Sequence, residues 1–230
     1  MSPAPTAQPR KLPFAKLVVV CLVLLVVLVL VLRGVDLRGF GDRVVAVIRN
    51  AGPWAFFSAM MVLPAFGVPM MAFTIPAGEA FSAQLGMPGV IAIALFAIAV
   101  NLALGYWVAR YALRPVVVVV LKRFGYSVPR ITPGNALSVL LIVRLTPGPP
   151  YFLQACILGV AQAPFRLYLI VSWLAILPWA IGGIILGKGL FAGNFAAVLL
   201  GLGLLVAAGV GLQWVRRKYA RREENDSPEI

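Results

Sequence analysis

The sequence predicts an all-α polytopic membrane protein with two opposed re-entrant helical hairpins and about four full transmembrane helices, arranged as an inverted repeat. Three observations carry this prediction. Of the 230 residues, 62% are apolar and only 12% are charged, which is typical of membrane proteins rather than soluble domains. Several apolar runs approach the roughly 20 residues that a membrane span needs. Two further apolar stretches are interrupted by prolines and glycines, and each carries a single charge inside the predicted membrane region.

The predicted elements follow one another without a separate soluble domain. A run of Val and Leu at residues 17–32 is interpreted as an uncleaved first span, because no small-residue cleavage site follows it; a signal peptide is the alternative. The full order is a disordered cytoplasmic tail (1–16), the first transmembrane helix and an external linker (17–53), a re-entrant segment (54–86), a helix (88–113), a cytoplasmic loop (114–133), a second re-entrant segment (135–163), a helix (165–186), the last helix (195–215) and a cytoplasmic tail (216–230).

The most informative stretch surrounds Arg144. It is apolar enough to enter a bilayer, but Arg144 is followed by three prolines around Gly148, at positions 147, 149 and 150. Each proline removes a backbone donor and clashes with the preceding turn. The stretch therefore predicts a helix that enters the membrane, breaks at residues 146–150 and turns back, and an arginine at that depth indicates a functional site.

A second stretch, residues 54–86, has the same design. It contains Pro64, Pro69 and Pro76 together with one lone acid, Glu79. Paired segments of this kind in two halves of a chain are typical of inverted-repeat transporters and indicate their binding site. Elsewhere, Asn101, Gly105 and Ala109 recur at four-residue spacing, and Gly183 and Gly187 form a GxxxG pair; both patterns predict close helix packing.

The charge distribution predicts orientation and excludes several functions. With both termini in the cytoplasm, 14 Lys and Arg residues lie inside and 5 outside, in agreement with the positive-inside rule for a multi-pass cell-membrane protein. The basic tails are expected to attract anionic lipid headgroups, and no nucleic-acid partner is predicted. Histidine is absent from the sequence and the membrane region offers one acid, so we predict no metal, no cofactor and no enzymatic activity.

Four segments together resemble the DedA family, whose shared unit is the VTT or SNARE-associated Golgi protein domain. They read TIPAGEAFSAQLG, NLALGYWVARYALRP, IVRLTPGPPYFLQACILGV and FRLYLIVSWLAILPWAIGGIILG, and the resemblance covers about residues 54–187. It implies two opposed re-entrant hairpins and the movement of lipids between leaflets, with proton coupling proposed for members. The sequence lacks the second arginine of the bacterial subgroup and the acid before GYW, so it is nearer the eukaryotic-like branch, which puts a polyprenyl-phosphate substrate in doubt.

These observations predict a substrate site. Arg144 is expected to meet a lipid phosphate through its planar fork of donors, and Glu79 is the candidate for proton coupling. The other substrate-binding candidates are Thr146, Pro147, Tyr151, Asn101 and Gln154. Structural alternatives stay open: Arg144 binding broken backbone carbonyls, Glu79 capping a hairpin or pairing with Arg144, and both amides acting as interhelical hydrogen-bond donors.

The predicted function is a lipid transporter or scramblase that moves phosphate-bearing lipids between leaflets, with or without proton coupling. A non-transporting membrane-organising or assembly protein and a small-ion transporter are the alternatives. Membrane phospholipids or lipid phosphates are the predicted partners, and a homo-oligomer is left open.

Overall fold

The computed structural model describes residues 37–123, 131, 136–146 and 150–226, and this part of the chain is helical without any strand. The chain divides into two compact units, residues 1–43 and 44–230, and the helices from residue 44 onward belong to the second. The predicted span at 17–32 lies outside the described residues. In order, the helices are α1 (Leu37–Val62), a 3-10 helix (Leu63–Phe66), α2 (Met71–Trp107), a π-helix (Val108–Leu113), α3 (Arg114–Arg123), α4 (Ala136–Leu145), α5 (Tyr151–Val160), α6 (Phe165–Ala192) and α7 (Phe195–Asp226).

Two glycines break the long first helices. Gly52 in α1 has φ 80° and ψ 162°, and Gly86 in α2 has φ 70° and ψ 156°. Only glycine adopts this backbone region without strain, so each position ends one helical segment and starts another. The break at Gly86 lies at the predicted boundary between the irregular stretch and the helix that follows it.

We call residues 53–66 and 71–85, joined by a turn at 67–70, the first helical pair. Aromatic rings hold its two arms together: Phe56 lies 5.5 Å from Phe73 and 5.2 Å from Phe81 between ring centroids. All three side chains are buried. The turn begins at Gly67, which has a left-handed φ of 102° and donates its N–H to the Pro64 carbonyl. The first pair is therefore a compact, apolar helix–turn–helix unit.

The second helical pair consists of α4 and α5, joined through residues 146–150, of which 147–149 lie outside the described residues. Each helix has 10 residues. At 1.5 Å per residue this is about 15 Å, or roughly half of a hydrocarbon core about 30 Å thick. Neither arm alone is long enough to cross a bilayer.

Each helical pair packs against the long helix that follows the other pair. Gly78 of the first pair faces the Ile184 carbonyl of α6 so closely that a side chain there has no room. Gly159 of the second pair faces Ala109, where an added Cβ would lie 2.6 Å from the alanine methyl group. Gly187 likewise touches the Ile75 backbone, which confirms the predicted close packing at the GxxxG pair.

Among the described residues, three helices are long and apolar enough to cross a membrane: Gly41–Phe66, Met71–Val119 and Phe165–Ala192. By their length and composition they indicate a membrane protein. The predicted last span belongs to α7, whose described apolar part is the shorter Phe195–Gly211. The predicted end at residue 113 is too early, because the chain continues through the π-helix into α3 and stays helical to Arg123. Pro115 lies inside this continuous helix, directly after the π-helix, and its missing N–H removes one backbone hydrogen bond there.

Candidate functional site

A cavity of about 730 Å³ lies between the turns of the two helical pairs and the middle of α6. Its volume is in the range of small-molecule sites, and its wall is predominantly apolar with a few polar groups, as such sites usually are. The described residues that line it are Gly67, Val68, Pro69, Met70, Met71, Thr74, Arg144, Leu145, Thr146, Pro150, Tyr151, Phe152, Gln154, Ser172, Ala175, Ile176, Trp179, Ala180, Gly209 and Gln213.

Arg144 enters this wall from the last turn of α4, and uncharged groups of α5 and α6 surround it. Its Nε donates to Ser172 Oγ at 2.8 Å, and its Nη2 donates to Tyr168 Oη at 3.0 Å. The guanidinium carbon lies 5.0 Å from the ring centroid of Tyr151 and 5.2 Å from that of Tyr168. Ring faces attract a cation through their quadrupole, so the two tyrosines position the charge without neutralising it.

Two buried side-chain atoms at this site have no hydrogen-bond partner among the described residues: Arg144 Nη1 and Tyr151 Oη. Buried polar groups are normally paired, since leaving one unpaired costs free energy, and a charged one costs more. Arg144 is also the one charged residue among those that line the cavity. The arrangement is a half-buried cation with a buried, unpartnered N–H group and no counter-charge among the described lining residues, at the wall of a space that a ligand can occupy.

The turn of the second pair presents two further predicted residues to the cavity. Thr146 donates its hydroxyl to the Ile142 carbonyl at 2.5 Å, which ties the residue to the end of α4. Gln154, on the first turns of α5, donates its amide to the Thr146 carbonyl at 3.4 Å. Gln154 thus links the two arms and lines the cavity at the same time.

Glu79 lies elsewhere. Its carboxylate forms an ion pair with Arg49 at 2.8 Å, and the same guanidinium binds the backbone carbonyls of Glu79 at 2.8 Å and Ala80 at 3.2 Å. Glu79 is eight residues into α2, about 12 Å along the helix axis from its start. It is not among the described cavity-lining residues, and its charged partner is Arg49 rather than Arg144.

Asn101 is buried and donates its amide to the Met61 carbonyl at 2.9 Å. It therefore acts as an interhelical hydrogen-bond donor, as one of the two sequence interpretations proposed, and it does not line the cavity. Pro147 lies outside the described residues. Of the seven predicted substrate-binding residues, the structure brings together Arg144, Thr146, Tyr151 and Gln154.

The sequence analysis did not identify Tyr168, Ser172 or Arg49. The first two lie inside an apolar span, but they are four residues apart, which places both hydroxyls on one face of α6. That spacing is the signal that would have found them. Arg49 lies 30 residues from Glu79 in a segment of mixed charge, and no sequence pattern connects the two.

No family model, curated protein or solved structure matches this chain. The part of the chain that the structure describes contains no cluster of three or more His, Cys, Asp or Glu side chains suited to a metal ion.

Proposed function

We propose that this chain is an integral membrane lipid transporter or scramblase that binds the phosphate of a lipid at Arg144 and moves that lipid between leaflets. One observation carries the proposal: Arg144 is half-buried at the wall of a largely apolar cavity, its Nη1 is buried without a partner, and no described lining residue is acidic. A ligand that satisfies both features is anionic at one end and apolar at the other. Membrane phospholipids have this chemistry.

The two helical pairs support an arrangement as opposed re-entrant hairpins related by an inverted repeat. In each pair a glycine lies nine residues after the proline of the turn, Gly78 after Pro69 and Gly159 after Pro150. At both glycines an added Cβ would clash with the long helix that follows the other pair. In such an arrangement the two turns meet near the bilayer midplane, where transporters of this type bind substrate.

The local electrostatics favour an anion at the turn of the second pair. An unneutralised cation in a low-dielectric site gains from a charge-assisted hydrogen bond to a phosphate oxygen. The start of α5 at Tyr151 adds to this, because a helix N-terminus carries partial positive charge and free backbone donors.

The cellular setting follows from the charge distribution. The excess of Lys and Arg in both tails and in residues 110–130 favours a cell-membrane protein with both termini in the cytoplasm. The resemblance to the DedA family supports the same class of function. The proposal includes no proton step, since Glu79 contacts Arg49 and lies outside the cavity wall.

Leaflet exchange in liposomes tests the proposal. The purified protein is reconstituted in phosphatidylcholine vesicles with a fluorescent phosphatidylglycerol, and a membrane-impermeant quencher reports the lipid that reaches the outer leaflet. We expect Arg144→Ala to reduce the exchange rate about a hundredfold, because it removes the one charge among the described lining residues. Arg166→Ala is the matched control, since Arg166 is exposed on α6 and the variant carries the same loss of charge. Equal rates for the native protein and folded Arg144→Ala would instead support a membrane-organising role.

A further inference from the structure

The geometry around Arg144 limits how a ligand can reach it. Two of the three guanidinium nitrogens are already engaged, Nε by Ser172 and Nη2 by Tyr168. The edge of the guanidinium that contains Nε and Nη2 is therefore closed by the protein. A ligand meets the remaining side, where Nη1 has two N–H donors without a partner. This differs from the open fork that the sequence suggested.

The second unpartnered group belongs to Tyr151, whose ring faces the same guanidinium. The Tyr151 ring lies 5.0 Å from the Arg144 guanidinium carbon, and both side chains line the cavity. The Tyr151 hydroxyl is buried and bonds to nothing in the described part of the chain. In the folded protein without a ligand, this hydroxyl contributes desolvation cost and no hydrogen bond, so packing alone does not account for a tyrosine here in place of a phenylalanine.

We infer that Tyr151 Oη and Arg144 Nη1 together form a two-donor site for one singly charged oxyanion group, the phosphodiester of a lipid headgroup. The inference rests on the proposed function and names its ligand more narrowly. One phosphate oxygen accepts from Nη1 and a second accepts from the tyrosine hydroxyl. Tyr168 and Ser172 hold the guanidinium in place and are positioning residues.

The charge of the site selects the ligand. Arg144 supplies one positive charge, and the other described lining residues are uncharged. A phosphodiester carries one negative charge and neutralises the site. A phosphomonoester near neutral pH carries between one and two negative charges. Its binding would leave excess negative charge in a largely apolar cavity. The site is therefore expected to prefer phosphatidylglycerol to phosphatidic acid of the same chain length.

Binding of short-chain lipids to the purified full-length protein tests the inference. Calorimetry in detergent measures the affinity of dihexanoyl phosphatidylglycerol for the native protein and for Tyr151→Phe. We expect the variant to bind about tenfold more weakly, because it loses one hydrogen bond to a charged group. Its melting temperature should equal or exceed that of the native protein, since the lost hydroxyl bonds to nothing in the fold. Tyr111→Phe is the control: Tyr111 is exposed outside the cavity, and the change should leave the affinity unaltered.

The outcomes separate the inference from the proposed function. An unchanged affinity in Tyr151→Phe, combined with a large loss in Arg144→Ala, overturns the two-donor site and leaves the proposed function standing. Phosphatidic acid binding more tightly than phosphatidylglycerol at pH 8 overturns the assignment of a singly charged ligand. An unchanged affinity in Arg144→Ala removes the proposed function as well.

Discussion

The two helical pairs share a plan and differ in what they enclose. Both turn at prolines, both carry a glycine nine residues after the last proline of the turn, and both use that glycine to contact a long helix. The first pair closes on itself through phenylalanine rings and a turn whose backbone donor at Gly67 is satisfied. The second pair lines the cavity with Arg144, Tyr151 and Gln154, and its Arg144 donates to two hydroxyls of α6.

This difference distinguishes the residues that stabilise the fold from the residues that are placed to bind a ligand. An apolar interior is sufficient to build a helix–turn–helix unit of this kind, as the first pair shows. The partly buried charge and the unpartnered donors of the second pair destabilise the folded protein rather than stabilise it. Their presence is understandable if a ligand satisfies them.

The shared packing plan predicts matched losses of stability. Gly78→Leu and Gly159→Leu each force a side chain into the backbone or side chains of a neighbouring helix, and we expect each to cost about 3 kcal/mol or more. Gly203→Leu is the control, since nothing lies within 4 Å of a Cβ built at that position. Thermal unfolding of the detergent-solubilised protein, followed by size-exclusion chromatography, measures the losses. If only one of the two variants loses stability, the pairs do not share a packing plan.

The apolar interior of the first pair predicts an effect on stability alone. Phe56 is buried and contacts the rings of Phe73 and Phe81, so Phe56→Ala removes packing worth about 3 kcal/mol. The preference for phosphatidylglycerol over phosphatidic acid should stay as in the native protein. Calorimetry with both lipids measures it. A changed preference would show that the first pair also contributes to ligand recognition.

The positioning role of Tyr168 predicts a smaller effect, which concerns both the stability of the fold and the affinity for lipid. Its hydroxyl accepts from Arg144 and donates to the Leu102 carbonyl at 3.3 Å, so Tyr168→Phe loses two bonds of the folded protein. We expect a loss of about 1–2 kcal/mol in stability, together with weaker lipid binding. Tyr151→Phe should weaken binding without this loss of stability. The same unfolding and binding assays compare the two variants, and identical stability profiles would contradict the distinction between a positioning and a ligand-binding tyrosine.

The smallest effect is expected at the ion pair that joins Arg49 of α1, ahead of the Gly52 break, to Glu79 of the first helical pair. Arg49 and Glu79 are partly exposed, with 49% and 26% of their side-chain surfaces accessible, and pairs of this kind contribute about 0–1 kcal/mol. Glu79→Gln should therefore change stability little and leave the rate of lipid exchange and its pH dependence unaltered. The liposome assay repeated over a range of pH checks this. A shifted pH profile would return Glu79 to the transport step as a proton carrier.

The sequence predicted the parts of this site that have a strong local signal. A charge followed by clustered prolines marks Arg144 and its turn, because few structures tolerate that combination in an apolar stretch. The small-residue contacts at Gly187 and Ala109 were also predictable from four-residue spacing. These features depend on neighbours in the sequence.

The remaining parts depend on contacts between distant segments. Ser172 and Tyr168 meet Arg144 from positions 28 and 24 residues away, and a single hydroxyl in a membrane span gives little indication of its partner. The similar settings of Glu79 and Arg144 in the sequence were misleading, because the partner of each charge lies in a distant segment. Glu79 lies eight residues into the helix that follows its turn, whereas Arg144 lies in the last turn of the helix that precedes its own. The partner of Glu79 is Arg49, which lies in α1.

The most direct test of the central claim is an experimental density map of the native protein in phosphatidylglycerol-containing nanodiscs, with a bound antibody fragment to add mass. The account predicts headgroup density between the two turns, with a phosphate within hydrogen-bonding distance of Arg144 Nη1 and Tyr151 Oη and the acyl chains leaving along the apolar wall. A well-resolved map in which a carboxylate of the protein binds Arg144, or in which the guanidinium points into bulk water, would contradict it.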